Sequence, residues 1–303
     1  MEKKYDVVVV GAGTAGLSAA MYAARAGLSV CVIEKSFAGG QIVNSPEVEN
    51  YPALKTVSGF DFVMALQEQA KGFGAVVTSG AIKSMELSGE EKRFEMARKT
   101  IIGKAVVIAT GAAHRKLGIP GEDVFSGRGV SYCATCDGGF FKEKDAVVVG
   151  GGETAFEDAL YLSGLCNHVT LIHRRDSFRA AKSAVDRLMQ KENVTVLTET
   201  VPLEIRGEQK VEELVIRQKG EEKILKTDAV FAAVGMQPEN QMFAEWVDLD
   251  ENGYFDAGED CMTKTPGVFV AGDARRKPLR QLVTAASDGA VAATAAIHYL
   301  QEA

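Results

Sequence analysis

The sequence is short of the residues that would staple, anchor or strongly charge it. Five cysteines in 303 residues are too few for a disulfide scaffold. No second C-x-x-C accompanies Cys133-Ala134-Thr135-Cys136, and Cys166 with His168 lacks the spacing of a second half-site, so no metal centre is expected. No apolar run reaches the ~18 residues that a membrane span requires. Charge comes in no long block of one sign. The net charge of −7, from 41 acidic and 34 basic residues, argues against a nucleic-acid surface. Met1-Glu2-Lys3-Lys4 leads directly toward the apolar residues 7–10, which are too few for the core of a signal peptide. The expectation is a cytoplasmic protein, in a reducing compartment where a cysteine pair is catalytic more often than structural.

What the sequence does have is glycine in ordered places. Residues 5–10 read as a buried parallel strand, its valines 7–10 apolar without alternation. They run into Gly11-Ala12-Gly13-Thr14-Ala15-Gly16, a small-residue helix over 17–26, a second strand over 28–33, and Glu34 at its end. This is a dinucleotide fingerprint in full context. Gly11 makes the tight turn, Gly13 lets backbone approach a pyrophosphate, and Gly16 lets helix and strand pack closely. Helix amides hold the phosphates, and Glu34 takes a ribose 2′-hydroxyl.

The unit repeats. A strand over 146–149 precedes Gly150-Gly151-Gly152-Glu153-Thr154-Ala155, a helix to Gly164, and a strand over 169–172. Here the second strand ends in His173-Arg174-Arg175, with Arg179 about one turn on, where guanidinium groups accommodate an NADP 2′-phosphate. The first unit therefore suits FAD or NAD, and the second NADPH. Just before the second unit stands the stretch 131–141, with Cys133, Cys136 and then Asp137. A thiol pair so close to a nicotinamide-type turn suggests electrons flowing from a dinucleotide to a disulfide. Cys31, Cys166 and Cys261 read as packing residues, and His114 and His298 have no evident partners.

Elsewhere the pattern predicts a helix over 59–74, short strands at 76–77, 82–87, 94–97 and 100–101, and a strand over 105–109 closing on Thr110-Gly111. Strands follow at 194–197, 212–218, 223–226 and 229–234, the last ending at Gly235. A strand over 268–271 then meets Gly272-Asp273, and an alanine-rich helix runs from Arg280-Gln281-Leu282 to Leu300. Turn-rich stretches near 111–115 and 235–240 read as domain crossings about which the inserted domain would rotate. The expected fold is α/β, with two nested Rossmann-like (three-layer ββα) domains: residues 1–113 and 241–303 form one, interrupted by residues 114–240.

These motifs, in this order, resemble those of the low-molecular-weight bacterial thioredoxin reductases over essentially the whole chain. The resemblance implies FAD in the first domain, NADPH and the dithiol in the second, thioredoxin as the disulfide substrate, and a homodimer. By the same resemblance Cys136 is the thiol against the flavin, Cys133 the thiol that attacks substrate, and Asp137 their acid/base. It also implies that Asp273 contacts the flavin ribityl chain, and that Gly39, Gly40, Gln41, Asn50, Arg280, Gln281 and Leu282 line FAD. Lys35, Ala109, Thr110, Gly111 and Gly272 belong with this flavin set, and Gly235 with the NADPH set. Thr14 stands where the family often has proline, and Leu54-Lys55-Thr56 replaces a more glycine-rich loop. Two rivals remain: a ferredoxin-fed or oxygen-using dithiol oxidoreductase of the same fold, and a non-catalytic flavin-binding sensor. Arg174, Arg175 and Arg179 argue against the ferredoxin-fed form, which needs no 2′-phosphate site.

Overall fold

The computed structural model describes residues 2–45 and 47–302. The chain divides into two units, the first built from residues up to Ala113 and from Gln237 onward, the second from His114–Met236. In the first, β1 (Glu2–Val10), α1 (Thr14–Arg25), β2 (Val30–Glu34), α2 (Gly59–Gly72) and β3 (Val76–Ser79) wind a parallel sheet. The valines of β1 are apolar on both faces because both faces are covered. Val7 and Val9 join a cluster with α1, α2 and the C-terminal helix, while Val8 and Val10 pack with Phe94, Phe243, Trp246 and Phe255.

β4 (Ile82–Glu86) and β5 (Lys92–Met96) form an antiparallel pair that leads into β6 (Thr100–Ile108). The separate strands expected at 100–101 and 105–109 are thus one. Gly103 lies opposite Tyr5 of β1, where a Cβ would come within 2.7 Å of the Val8 side chain; its bare backbone lets the strand run on. One edge of β6 is shared. β5 pairs antiparallel with its first half, and β17 (Val268–Val270) pairs parallel with its second. α6 (Leu282–Glu302) then packs on α1 so closely that a Cβ on Gly289 would lie 2.2 Å from the Ala15 carbonyl oxygen.

Between these parts, β7 (Ala112–His114) and β16 (Met236–Pro238) carry the chain across as a two-stranded ribbon. The second crossing falls at Met236–Gln237, ahead of the expected boundary at 240. Asn240 explains the shift: fully buried, it donates to the carbonyls of Gly253 (3.0 Å) and Ala274 (2.9 Å) and accepts from Thr110 Oγ1 (3.0 Å), all in the first unit.

In the second unit β8 (Val130–Ser131), α3 (Ala134–Asp137), β9 (Asp145–Val149), α4 (Glu153–Ser163), β10 (His168–Ile172), α5 (Lys182–Met189), β11 (Val194–Leu197) and β15 (Ala229–Ala232) build a parallel sheet ordered β11-β10-β9-β15-β8. Beside it β12 (Thr200–Arg206), β13 (Glu213–Gln218) and β14 (Glu221–Lys226) form an antiparallel sheet. The sequence pattern misses β12, because Pro202 and the charged Glu204 and Arg206 blur it. As an edge strand with an irregular register at Pro202–Glu204, it tolerates the proline.

Candidate active site

In the first unit the three glycines of the turn do different work. Gly11 has φ +103°, and a Cβ there would lie 2.3 Å from the Ala109 carbonyl oxygen. At Gly16 a Cβ would strike the Gly11 carbonyl oxygen at 1.9 Å. Gly13 is open, with only the Gly39 carbonyl oxygen near, at 3.9 Å. It caps α1 without any side-chain bond, and the first helical turn, which includes Thr14, Ala15 and Gly16, contains no acid. The amides at this helix start thus point to open space with a favourable dipole for an anion.

Around that turn the structure gathers the rest of the expected set. Glu34 braces it, Oε2 accepting from the Ala12 amide (2.8 Å) and Oε1 from the Ser36 amide (2.9 Å). The Gly39 amide donates to the Ala12 carbonyl, which lays Gly39 and Gly40 alongside Gly13. Gln41 donates to the Ala112 carbonyl, and Asn50 donates to Gln281 Oε1 at 3.1 Å, joining the two ends of the chain. Ala109 is buried at the end of β6, and Gly111 takes φ +73° after Thr110. Lys35 instead is exposed, 2.5 Å from Glu239.

Gly272, at φ +77°, brings the start of the next turn against α1; a Cβ there would lie 2.7 Å from Ala15 Cβ. Asp273 follows with Oδ1 buried and lacking a hydrogen-bond partner. Burial raises its pKa, opposed by the charges of Lys277 and Arg280. Arg280 Nε donates to the Asp273 carbonyl at 3.3 Å, its guanidinium stacks 4.2 Å from the Tyr254 ring centroid, and Leu282 opens α6.

In the second unit, a Cβ on Gly150 would meet the Ala233 carbonyl oxygen at 2.4 Å, and one on Gly151 the His173 ring at 2.1 Å. Gly152 faces open space, and Ala155, fully buried, stands at the third glycine's place. Thr154 is exposed, while Glu153 turns away from the helix start, its Oε2 accepting from the Ala181 amide (2.8 Å). His173 ends β10 buried, with Nε2 lacking a partner, and burial lowers its pKa. Arg174, Arg175 and Arg179 are exposed, and none forms an ion pair among the described residues. The Arg179 amide donates to the Gly151 carbonyl, tying this basic loop to the turn. Gly235 takes φ +100°, and its carbonyl accepts from the Arg115 amide.

Cys133 and Cys136 are joined as a disulfide, with Cα atoms 5.3 Å apart, at the start of α3. Gly138 seats this turn on α4, where a Cβ would lie 3.0 Å from both Tyr161 and Leu162 side chains. Ser131 Oγ donates to Asp137 Oδ2 at 2.6 Å and accepts from the Cys133 amide at 3.1 Å. Burial raises the Asp137 pKa, and the Ser131 bond only partly opposes this. The shift moves the carboxyl, one residue after Cys136, toward its proton-holding form. The other three cysteines are buried, their thiols pushed up to about 11 (Cys31, Cys166) and about 12 (Cys261) by burial, and so unreactive.

Sequence reasoning overlooked several participants. Arg275 and Lys277 both hold Asp288 in a buried cluster under the Asp273 turn, with Asp288 Oδ2 also accepting from the Gly272 amide (2.9 Å). Ser131 was passed over, and His114, which showed no partner in the sequence, stacks on Tyr132. Only Ser131's closeness to the cysteines was a readable signal.

Two dinucleotide-type turns, one followed by arginines and flanked by a disulfide with its own half-buried acid, define a nucleotide-linked disulfide oxidoreductase. The pyridine nucleotide-disulphide oxidoreductase pattern matches residues 5–290. The chain is 44% identical to the thioredoxin reductase of Listeria innocua over 304 residues, covering 99% of this chain and 95% of that one. It is likewise 44% identical to the thioredoxin reductase of Bacillus subtilis, covering 99% and 96%. The solved thioredoxin reductase of Streptococcus pyogenes is similar to it with a TM-score of 0.94 and 39% identity, over 99% of both chains. The chain belongs to the pyridine nucleotide-disulphide oxidoreductases, in their low-molecular-weight bacterial thioredoxin reductase branch. The expected α/β fold and family resemblance hold.

Proposed function

We propose that the protein is an NADPH- and FAD-dependent reductase of the thioredoxin disulfide, working as a cytoplasmic homodimer with Cys133–Cys136 as its relay. The observation that carries this reading is the disulfide itself, seated on α4, whose own strand-turn-helix unit is followed by three exposed guanidinium groups with no ion pair among the described residues. The residues present fit both cofactors. The open face of Gly13, the uncapped α1 amides and the orphaned Asp273 oxygen suit the pyrophosphate and ribityl hydroxyls of FAD, with Glu34 toward its ribose. The open Gly152 face and Arg174, Arg175 and Arg179 suit NADPH. Bound FAD would supply the exchange between a nicotinamide hydride and the electron pair that reduces a disulfide.

The chain's own part follows from its sulfur chemistry. Two electrons and two protons convert the Cys133–Cys136 bond into two thiols. As a thiolate, Cys133 attacks the substrate disulfide, and one substrate sulfur leaves as a thiolate. The Cys136 thiolate then attacks Cys133 in the mixed disulfide, re-forming the internal bond and releasing the second substrate sulfur. Asp137, its pKa raised by burial, would give a proton to a leaving thiolate and recover it from a thiol.

Anaerobic mixing of the yellow protein with NADPH, then with NADH, followed by stopped-flow flavin bleaching, tests this reading. NADPH should bleach the flavin far faster than NADH, and added thioredoxin disulfide should restore the colour. A flavin indifferent to both nucleotides, yet reduced by ferredoxin, would replace this reading with the ferredoxin-fed one.

A further inference from the structure

Beyond the sulfurs and Asp137, a second set of side chains reaches the dithiol. The two residues ahead of Cys133 bind different partners. Ser131 reaches Asp137, as described; the Tyr132 hydroxyl donates to Glu122 Oε1 at 2.8 Å. Glu122 is 2% exposed. The same Oε1 accepts from the Leu117 amide, and Oε2 from the Gly118 amide, each at 2.8 Å. Among the described residues no cation forms an ion pair with it, and neighbouring Lys116 pairs with Asp123 at 2.6 Å. The Tyr132 ring is stacked on His114, centroids 5.2 Å apart at 24°. His114, Leu117 and Gly118 belong to the segment by which the chain enters the second unit, and the Arg115 amide ties that segment to Gly235 at the exit.

We infer that Tyr132 and Glu122 are positioning residues for the dithiol, clamping Cys133 to the entering segment of the second unit; this rests on the function proposed above. Cys133 is thereby held from two sides, through Ser131 to Asp137 and through Tyr132 to Glu122. A buried carboxylate satisfied by two amides and one hydroxyl is directional, so it fixes where the tyrosine, and the cysteine after it, can sit. Burial and the bond to Glu122 both raise the Tyr132 pKa, which keeps its hydroxyl a donor throughout the working pH range. The clamp acts on ring closure: the better Cys133 is held toward Cys136, the more the disulfide is favoured over the dithiol.

The test is the dithiol–disulfide equilibrium of the flavin-loaded enzyme in buffers of reduced and oxidised dithiothreitol, trapped with iodoacetamide and read by mass. Tyr132→Phe keeps the ring on His114 and removes only the hydroxyl. It should shift the equilibrium toward the dithiol three- to tenfold, about 15 to 30 mV, with flavin content and the KM for NADPH unchanged. Tyr132→Ala should shift it further. A Tyr132→Phe enzyme with the wild-type equilibrium overturns the clamp, whether or not the alanine variant folds. Failure of the wild-type enzyme to reduce thioredoxin with NADPH would remove the functional reading instead, and the equilibrium would still report on the clamp.

Discussion

The two nucleotide turns of this chain are built on one plan and furnished in opposite ways. Each follows a central parallel strand, and each has a first glycine pressed on a neighbouring carbonyl: Gly11 on Ala109 and Gly150 on Ala233. After that they part. The first has a positive φ at Gly11, a helix without a single acidic residue, and a carboxylate at the end of its second strand. The second has no positive φ at Gly150, a helix bearing Glu153, Glu157 and Asp158, and arginines at the corresponding strand end. On the proposed function the lesson is that the shared backbone suits phosphate, while the choice of dinucleotide would be made at the far end of the second strand. A negative charge there repels a 2′-phosphate and a positive cluster holds it.

The largest effect should come from breaking the plan itself. Gly11→Ala must take up φ +103° against a carbonyl oxygen, and should cost at least about 2 kcal/mol of stability and leave the protein colourless. Gly152→Ala, at φ −98° in open space, should stay within about 0.5 kcal/mol of wild type. Denaturant melts and flavin absorbance per chain check both, and equal losses at the two positions would dissolve the contrast. Next in size, removing Arg174 and Arg175 together as alanines should raise the KM for NADPH on the order of 30-fold. Turnover with NADH should change less than about twofold, as steady-state kinetics with each nucleotide would show.

An effect seen only as pH rises concerns the acids of α4. Burial, and then the charge of Glu157, pushes the Asp158 carboxyl up to about 7, whereas α1 has no acid to bury. The folded protein therefore keeps a proton there that the unfolded chain has already lost, and stability falls as pH rises from about 4 to about 7. Asp158→Asn removes that dependence. It should leave stability unchanged near pH 4 and raise it by on the order of 2 kcal/mol at pH 8, as thermal melts across pH would show. A wild-type pH profile in the variant would place the titration elsewhere.

Much of the molecule was legible because its requirements are local. Glycine at 11 is demanded by its own φ of +103°, glycine at 16 by the carbonyl of Gly11 five residues back, and Glu34 sits at a fixed distance from them. The dithiol, its acid and the arginines are likewise contiguous. What stayed hidden is what long-range side-chain contacts create. Asn240 joins Thr110, Gly253 and Ala274, and so moves a domain boundary that composition placed later. Glu122 gains meaning only when Tyr132 arrives beside it, and His114 only when that ring stacks on it. β6 was read as two strands, at 100–101 and 105–109, whereas the missing side chain at Gly103 lets one strand run through beside Val8.

The shared edge of β6 also sets an order of events during synthesis. β17 and α6, which complete the first sheet and cover α1, lie beyond the whole second unit in the chain. When β6 leaves the ribosome its second half has no neighbour on that side, and Ala15 and Ala19 of α1 have no helix to receive. At ordinary elongation rates the gap lasts on the order of ten seconds. The second unit, continuous in sequence, can close in that interval. The nascent first unit must wait with an open sheet edge until the last strand and helix are made, which makes that interval the moment when nascent chains are most open to pairing with one another.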